Sequence, residues 1–141
     1  MGNSQQKQKV NFEDVQFVIK NSDNHLLINT MLENYQNCLI VNTIPIDKEE
    51  LVINKLLNNG DGKNIKIIIY GKNSNDETPI KKCEQLLSLG FSNVYIYPGG
   101  LFEWLLLQDI YGTELFPTTS KQNDLLKYKP NKLLNIPLIE Y

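Results

Sequence analysis

Residues 67–104 read IIIYGKNSNDETPIKKCEQLLSLGFSNVYIYPGGLFEW, and the fold turns on how this stretch is parsed. The apolar run 65–70, IKIIIY, is rich in β-branched residues, which marks a central strand covered on both faces. GKNSNDE, residues 71–77, is a polar loop. Thr78 is placed to cap a helix, and Pro79 suits its first position. Ile80, Cys83 and Leu87, with Leu86 alongside, predict the buried stripe of that helix. Gly90 and Phe91 form a Schellman-type stop. NVYIY (93–97) is a second strand, and Pro98, Gly99 and Gly100 turn the chain into a helix that ends at Gly112.

Upstream, NNGDGKN is turn chemistry. A helix before it is predicted to be capped by Asp47 with Glu50, to bury Leu51, Ile53, Leu56 and Leu57, and to end at Gly60. CLIVNTI (38–44) reads as an apolar strand stopped by Pro45. ENYQN is a turn or a single helical turn, and LLINT (26–30) is a short buried strand. Residues 11–20 read as a helix, with Asn11 as cap, Asp14 three residues on, and Phe12, Val15, Val18 and Ile19 on one face; a strand at QFVIK (16–20) is the alternative. Strands alternating with helices imply a parallel sheet with helices on both faces. In such sheets ligands bind beyond the carboxyl ends of the strands, where the 71–77 loop and the 97–100 turn lie.

Three regions complete the layout. Residues 1–10 read as a disordered tail, 11–118 as the domain, and 119–141 as a C-terminal tail partly packed on it. Within that tail LLNIPLIEY (133–141) is expected to fold back on the domain, with a docking segment for a partner as the rival reading. The segment 105–119 is apolar enough to cover an open side of the sheet or to form a contact surface.

A chain of 141 residues carries one domain with a real core. A net charge of −2 gives no basic footprint for nucleic acid. All 14 basic residues are lysines, so no site can use a guanidinium fork. Two cysteines, Cys38 and Cys83, form neither a disulfide scaffold nor a metal motif. With no signal peptide, the expected compartment is reducing and cytoplasmic. No apolar run approaches a membrane span. Gly2 after Met1 opens an N-myristoylation pattern, but Gln6 stands where Ser or Thr is wanted, and a single acyl chain would anchor only weakly.

HLLINTM, ENYQNCLI, the IIIY strand and KKCEQLLSLGFSNVYIYPGGLFEW together resemble a rhodanese-like domain over about residues 10–118. The most specific block is Gly90, Phe91, Val94, Tyr95, Gly99, Gly100 and Trp104, in order and at the right spacing. The resemblance implies a parallel core of about five strands. It also implies a persulfide-forming cysteine as the first residue after the Ile-Ile-Tyr strand, where converging amides and a helix dipole stabilise a thiolate. That position is Gly71. An Asp and an Arg of the family pattern become Asn29 and Met31, and a His and a Pro become Cys38 and Ile40.

Several chemistries can then be weighed. A phosphatase loop needs Cys-x5-Arg; here Gly71 heads the loop and Glu77 closes it, so that chemistry is excluded. A P-loop needs Gly where Lys66 stands. Cys83 aligns with a small buried helix residue, and the single histidine, His25, has no carboxylate partner nearby in sequence. The expected function is a catalytically silent binding or scaffold module for a protein partner, needing no cofactor or metal. Its recognition surface is Gly71, Lys72, Asn73, Ser74, Asn75, Asp76 and Glu77, where a small anion could also sit, although Asp76 and Glu77 oppose it. The alternative is a divergent sulfurtransferase using Cys38.

Overall fold

The computed structural model describes residues 8–134. Gly2, and the 135–141 part of the expected packing segment, lie outside the described residues. In chain order the elements are β1 (Gln8–Lys9), α1 (Phe12–Lys20), β2 (His25–Asn29), α2 (Ile46–Asn58), β3 (Lys66–Tyr70), α3 (Thr78–Leu89), β4 (Asn93–Tyr97) and α4 (Gly100–Tyr111). Short 3-10 turns cover Ser22–Asn24, Glu33–Tyr35 and Leu125–Tyr128. Among the described residues the sheet has four strands, all parallel, in the order β1-β4-β3-β2.

β3 is central, and its two-residue periodicity builds the core. Ile68 and Tyr70 face one side with Val15, Val18, Leu101, Trp104, Leu105 and Phe116. Ile67 and Ile69 face the other with Ile53, Cys83, Leu86 and Phe91. Thus α1 and α4 cover one face, α2 and α3 the other. Ile67 and Ile69 are fully buried, each contributing about 1.5–3 kcal/mol of transfer free energy.

Local signals set several ends as expected. Asn11 caps α1 in a full capping box with Asp14. The stop after α3 is a Schellman arrangement: Gly90 has φ +114°, and the Phe91 and Gly90 amides reach back to Leu86 O and Leu87 O.

Other expectations are corrected. Residues 38–44 are not a strand. Asn42 has φ +71°, the Thr43 amide turns back to Ile40 O, and the Ile40 amide is taken by the Tyr70 hydroxyl, which leaves only isolated bridges at Ile40 and Thr43. The run is apolar because Cys38, Leu39 and Ile40 are buried as loop residues. Instead Gln8–Lys9, within the stretch expected to be disordered, supplies an edge strand beside β4, where polar residues suit one open side. Helix α2 begins at Ile46 behind Pro45, so Asp47 lies in its first turn rather than capping it. Leu51 and Ile80 are exposed; on α3 the buried residues are Pro79, Cys83 and Leu86. In the C-terminal region the part packed into the core is Tyr128, whereas Leu133 and Leu134 are exposed. No helix among the described residues is long and apolar enough to cross a membrane.

Candidate functional site

The loop between β3 and α3 leaves the carboxyl edge of the sheet directly after buried Tyr70. Its hydrogen bonds converge on one carboxylate. Asp76 Oδ2 accepts the Lys72 amide at 2.9 Å. Asp76 Oδ1 accepts the Thr78 amide at 3.0 Å and the Thr78 hydroxyl at 2.7 Å. Asp76, not Thr78, therefore satisfies an orphan amide at the start of α3, where the helix dipole favours negative charge. The anion held by the loop is the chain's own. It also fills the space at Gly71: a Cβ there would run into the Asp76 carboxylate and stand 2.8 Å from Pro79 Cγ.

Two further segments clamp the loop. The Leu101 amide donates to Gly71 O at 3.0 Å and the Phe102 amide to Lys72 O at 2.9 Å, so loop carbonyls receive amides at the start of α4. Gly100 makes this approach feasible. Its φ is +68°, and a Cβ would stand 2.8 Å from Gly71 O and 2.9 Å from Asn73 N. Gly99 lies against the Glu103 side chain, which accepts a hydrogen bond from the Tyr97 hydroxyl. Buried Asn73 donates to Tyr128 O at 2.9 Å and accepts the Asn75 amide at 2.9 Å, tying the loop to the C-terminal segment. Ser74, Asn75 and Glu77 are exposed on its outer surface.

Beside the loop, the position that the resemblance gives to an acid holds a neutral amide pair. Gln36 Nε2 donates to Asn29 Oδ1 at 2.7 Å, and Asn29 Nδ2 donates to Gln36 Oε1 at 3.1 Å. The Met31 amide also donates to Asn29 Oδ1.

Neither cysteine lies in the loop. Cys83 is on the buried face of α3, in the core. Cys38 is 1 % exposed, and its Sγ lies 3.4 Å from Ser120 O, to which it donates. Burial pushes its thiol above the ordinary value; hydrogen bonds with Thr118 and Ser120 and the charge of Lys127 oppose that shift. His25 begins β2, at the opposite end of the strands from the loop, with Nδ1 2.6 Å from Asn21 O. Among the described residues no group of three or more His, Cys, Asp or Glu is placed to hold a metal.

A cavity of about 380 Å³ opens at the loop, with Thr30, Tyr35, Lys72, Asp76, Thr78 and Lys129 among its lining residues. The Thr30 and Thr78 hydroxyls are 2.7 Å apart across its wall. Sequence reasoning located the loop but missed Tyr35 and Lys129. The basic-aromatic run Lys127, Tyr128, Lys129 is their one local sign, and nothing in it shows that it returns to residue 73.

The fold and site define a parallel α/β domain whose candidate site is a strand-to-helix loop at the carboxyl edge of the sheet. The model of the rhodanese-like domain family matches residues 12–107, and the chain belongs to that family. A Bacillus halodurans protein superposes with a TM-score of 0.58 at 22 % identity, over 75 % of this chain and 74 % of that one. The rhodanese-like domain of an Anabaena protein gives 0.55 at 16 % identity, over 96 % and 94 %. A thiosulfate sulfurtransferase from Pseudomonas aeruginosa gives 0.55 at 20 %, over 71 % of this chain and 19 % of that protein. These likenesses establish the fold. No curated protein matches the chain.

Proposed function

We propose that this rhodanese-like chain is a catalytically silent binding module that offers the 71–77 loop and its cavity to a protein partner. The observation that carries the reading is the loop itself. The position that the resemblance assigns to the nucleophile is Gly71, and the Asp76 carboxylate fills the space a side chain would need. A persulfide needs a thiolate in an electropositive, accessible setting. This loop instead presents an internal acid to its amides. Both cysteines are buried and neither forms a disulfide, which suits a reducing, cytoplasmic compartment.

The rival reading is a divergent sulfurtransferase acting through Cys38. Lys127 favours it by charge; burial of the thiol opposes it more strongly. Intact mass after incubation with thiosulfate, on wild type, Cys38→Ser and Cys83→Ser, separates the two. The silent module gives an unchanged mass. A reductant-sensitive gain of one sulfur atom, lost in one variant only, overturns the reading and identifies the nucleophile.

A further inference from the structure

Beyond the loop's own hydrogen bonds, the cavity mouth gathers positive charge around one aromatic ring. Lys72 Nζ donates to the Tyr35 hydroxyl at 3.1 Å and lies 4.5 Å from the ring centroid. Lys127 Nζ lies 5.2 Å from the same centroid and 5.8 Å from that of Tyr128. The Tyr35 and Tyr128 rings meet edge-on, with centroids 5.5 Å apart. Lys129 lines the cavity with Lys72. Lys82 pairs with Glu49, but none of these three lysines is paired with a carboxylate among the described residues. Asp76, the one acid lining the cavity, already has both oxygens engaged. Contact with the tyrosine faces holds the Lys72 and Lys127 ammonium groups in place without neutralising them, so their charge is left for an external anion.

The geometry selects among anions. A small tetrahedral anion at a helix N-terminus is held by converging backbone amides. Here the Lys72 and Thr78 amides serve Asp76, and the Asn75 and Asp76 amides serve Asn73. The chain has no arginine for bidentate capture of phosphate. Beside these engaged amides stand ammonium groups on flexible stems, next to an apolar rim formed by Met31 and by Leu32, which is 72 % exposed. A cavity of about 380 Å³ has room for much more than one carboxyl group.

We propose that this site binds an acidic peptide segment of a protein partner. Glu or Asp carboxylates meet Lys72, Lys127 and Lys129, and a neighbouring apolar side chain packs on Leu32. This inference rests on the binding-module reading and names the chemistry of its partner.

Fluorescence anisotropy of the full chain tests it, with a fluorescein-labelled octapeptide of Glu and Leu and its counterpart with Lys in place of Glu. The expected result is saturable binding of the acidic peptide only. Binding falls at least tenfold in Lys127→Gln/Lys129→Gln, several-fold in Leu32→Ser, and steeply in high salt. Both lysines and Leu32 are exposed, so these variants keep the fold, as circular dichroism verifies. No saturable binding, equal binding of the lysine peptide, or unchanged affinity in the double variant overturns the proposal. The thiosulfate experiment keeps the two readings apart. A sulfur adduct overturns the silent module whatever the peptide does. No adduct together with no peptide binding overturns only the acidic-peptide site.

Discussion

The carboxylate of Asp76 occupies the space that a side chain on Gly71 would need, with Asp76 Cγ 3.0 Å from the position of a Cβ. The bare residue at 71 and the acid at 76 are therefore one arrangement. The helix dipole and the Lys72 and Thr78 amides, which could hold an anion, are met by an acid from within the chain.

This coupling is measurable. Gly71→Ala should cost about 1–3 kcal/mol, because its methyl group meets Asp76 and Pro79 in a packed site. In an Asp76→Ser background the same change should cost less, by at least about 0.5 kcal/mol, the size expected for residues in contact. Urea titrations of the four proteins give the cycle. Additive costs would show that the two residues are independent.

The glycines provide a contrast. Gly90 and Gly100 both have positive φ, but a Cβ on Gly90 meets nothing within 4 Å, while one on Gly100 meets backbone of the 71–73 loop. Gly90→Ala should cost about 1–2 kcal/mol from conformation alone. Gly100→Ala should cost about 3 kcal/mol, since overpacking adds to the conformational term. Thermal midpoints measured side by side check the order.

Stability should fall in alkali. Burial raises the Cys38 thiol above its ordinary 9.0, and raises Tyr70 and Tyr128 above 10.0; Tyr97 is raised by burial and by its hydrogen bond to Glu103. In each case the folded state keeps a proton that the unfolded chain releases. The stabilisation is complete below the unfolded value and is lost as pH rises above it toward the folded one. Thermal midpoints should decline from about pH 9 and more steeply above pH 10. Cys38→Ser should remove the earlier part of the decline. A flat profile from pH 8 to 11 would contradict the assignment.

Tyr128 should be an anchor for the C-terminal segment. It is fully buried, and its carbonyl holds Asn73. Tyr128→Ala should cost about 3–5 kcal/mol, as for other large aromatic truncations. It should also raise the rate at which an aromatic disulfide reagent labels Cys38, located by peptide mass. Unchanged stability and labelling would show that the segment is dispensable.

The α1 capping box and the Gly90–Phe91 stop were legible in the sequence, because each is closed by hydrogen bonds between residues a few positions apart. The central place of β3 was legible too, since a strand buried on both faces needs apolar side chains at every position. The absence of a cysteine from residues 71–77 was legible, as were Asp76 and Glu77 as acids opposing an external anion. That Asp76 itself becomes the loop's anion was not, because residues 71–77 must close on themselves before its oxygens reach the amides. Residues 38–44 misled because apolar composition reports burial, not conformation. The left-handed Asn42 and the hydroxyl of Tyr70, from a different element, set that segment's path.

The sequence by itself determined the alternation of strands and helices, the family pattern and the absence of a cysteine from residues 71–77. These rest on side-chain periodicity, on short-range backbone bonds and on residue identity. Only the tertiary structure decided which edge strand completes the sheet, what fills the space at Gly71, and that Lys127 and Lys129 stand beside Lys72. Each of these depends on contacts between segments far apart in the chain, and such contacts exist only once the hydrophobic core has brought the segments together.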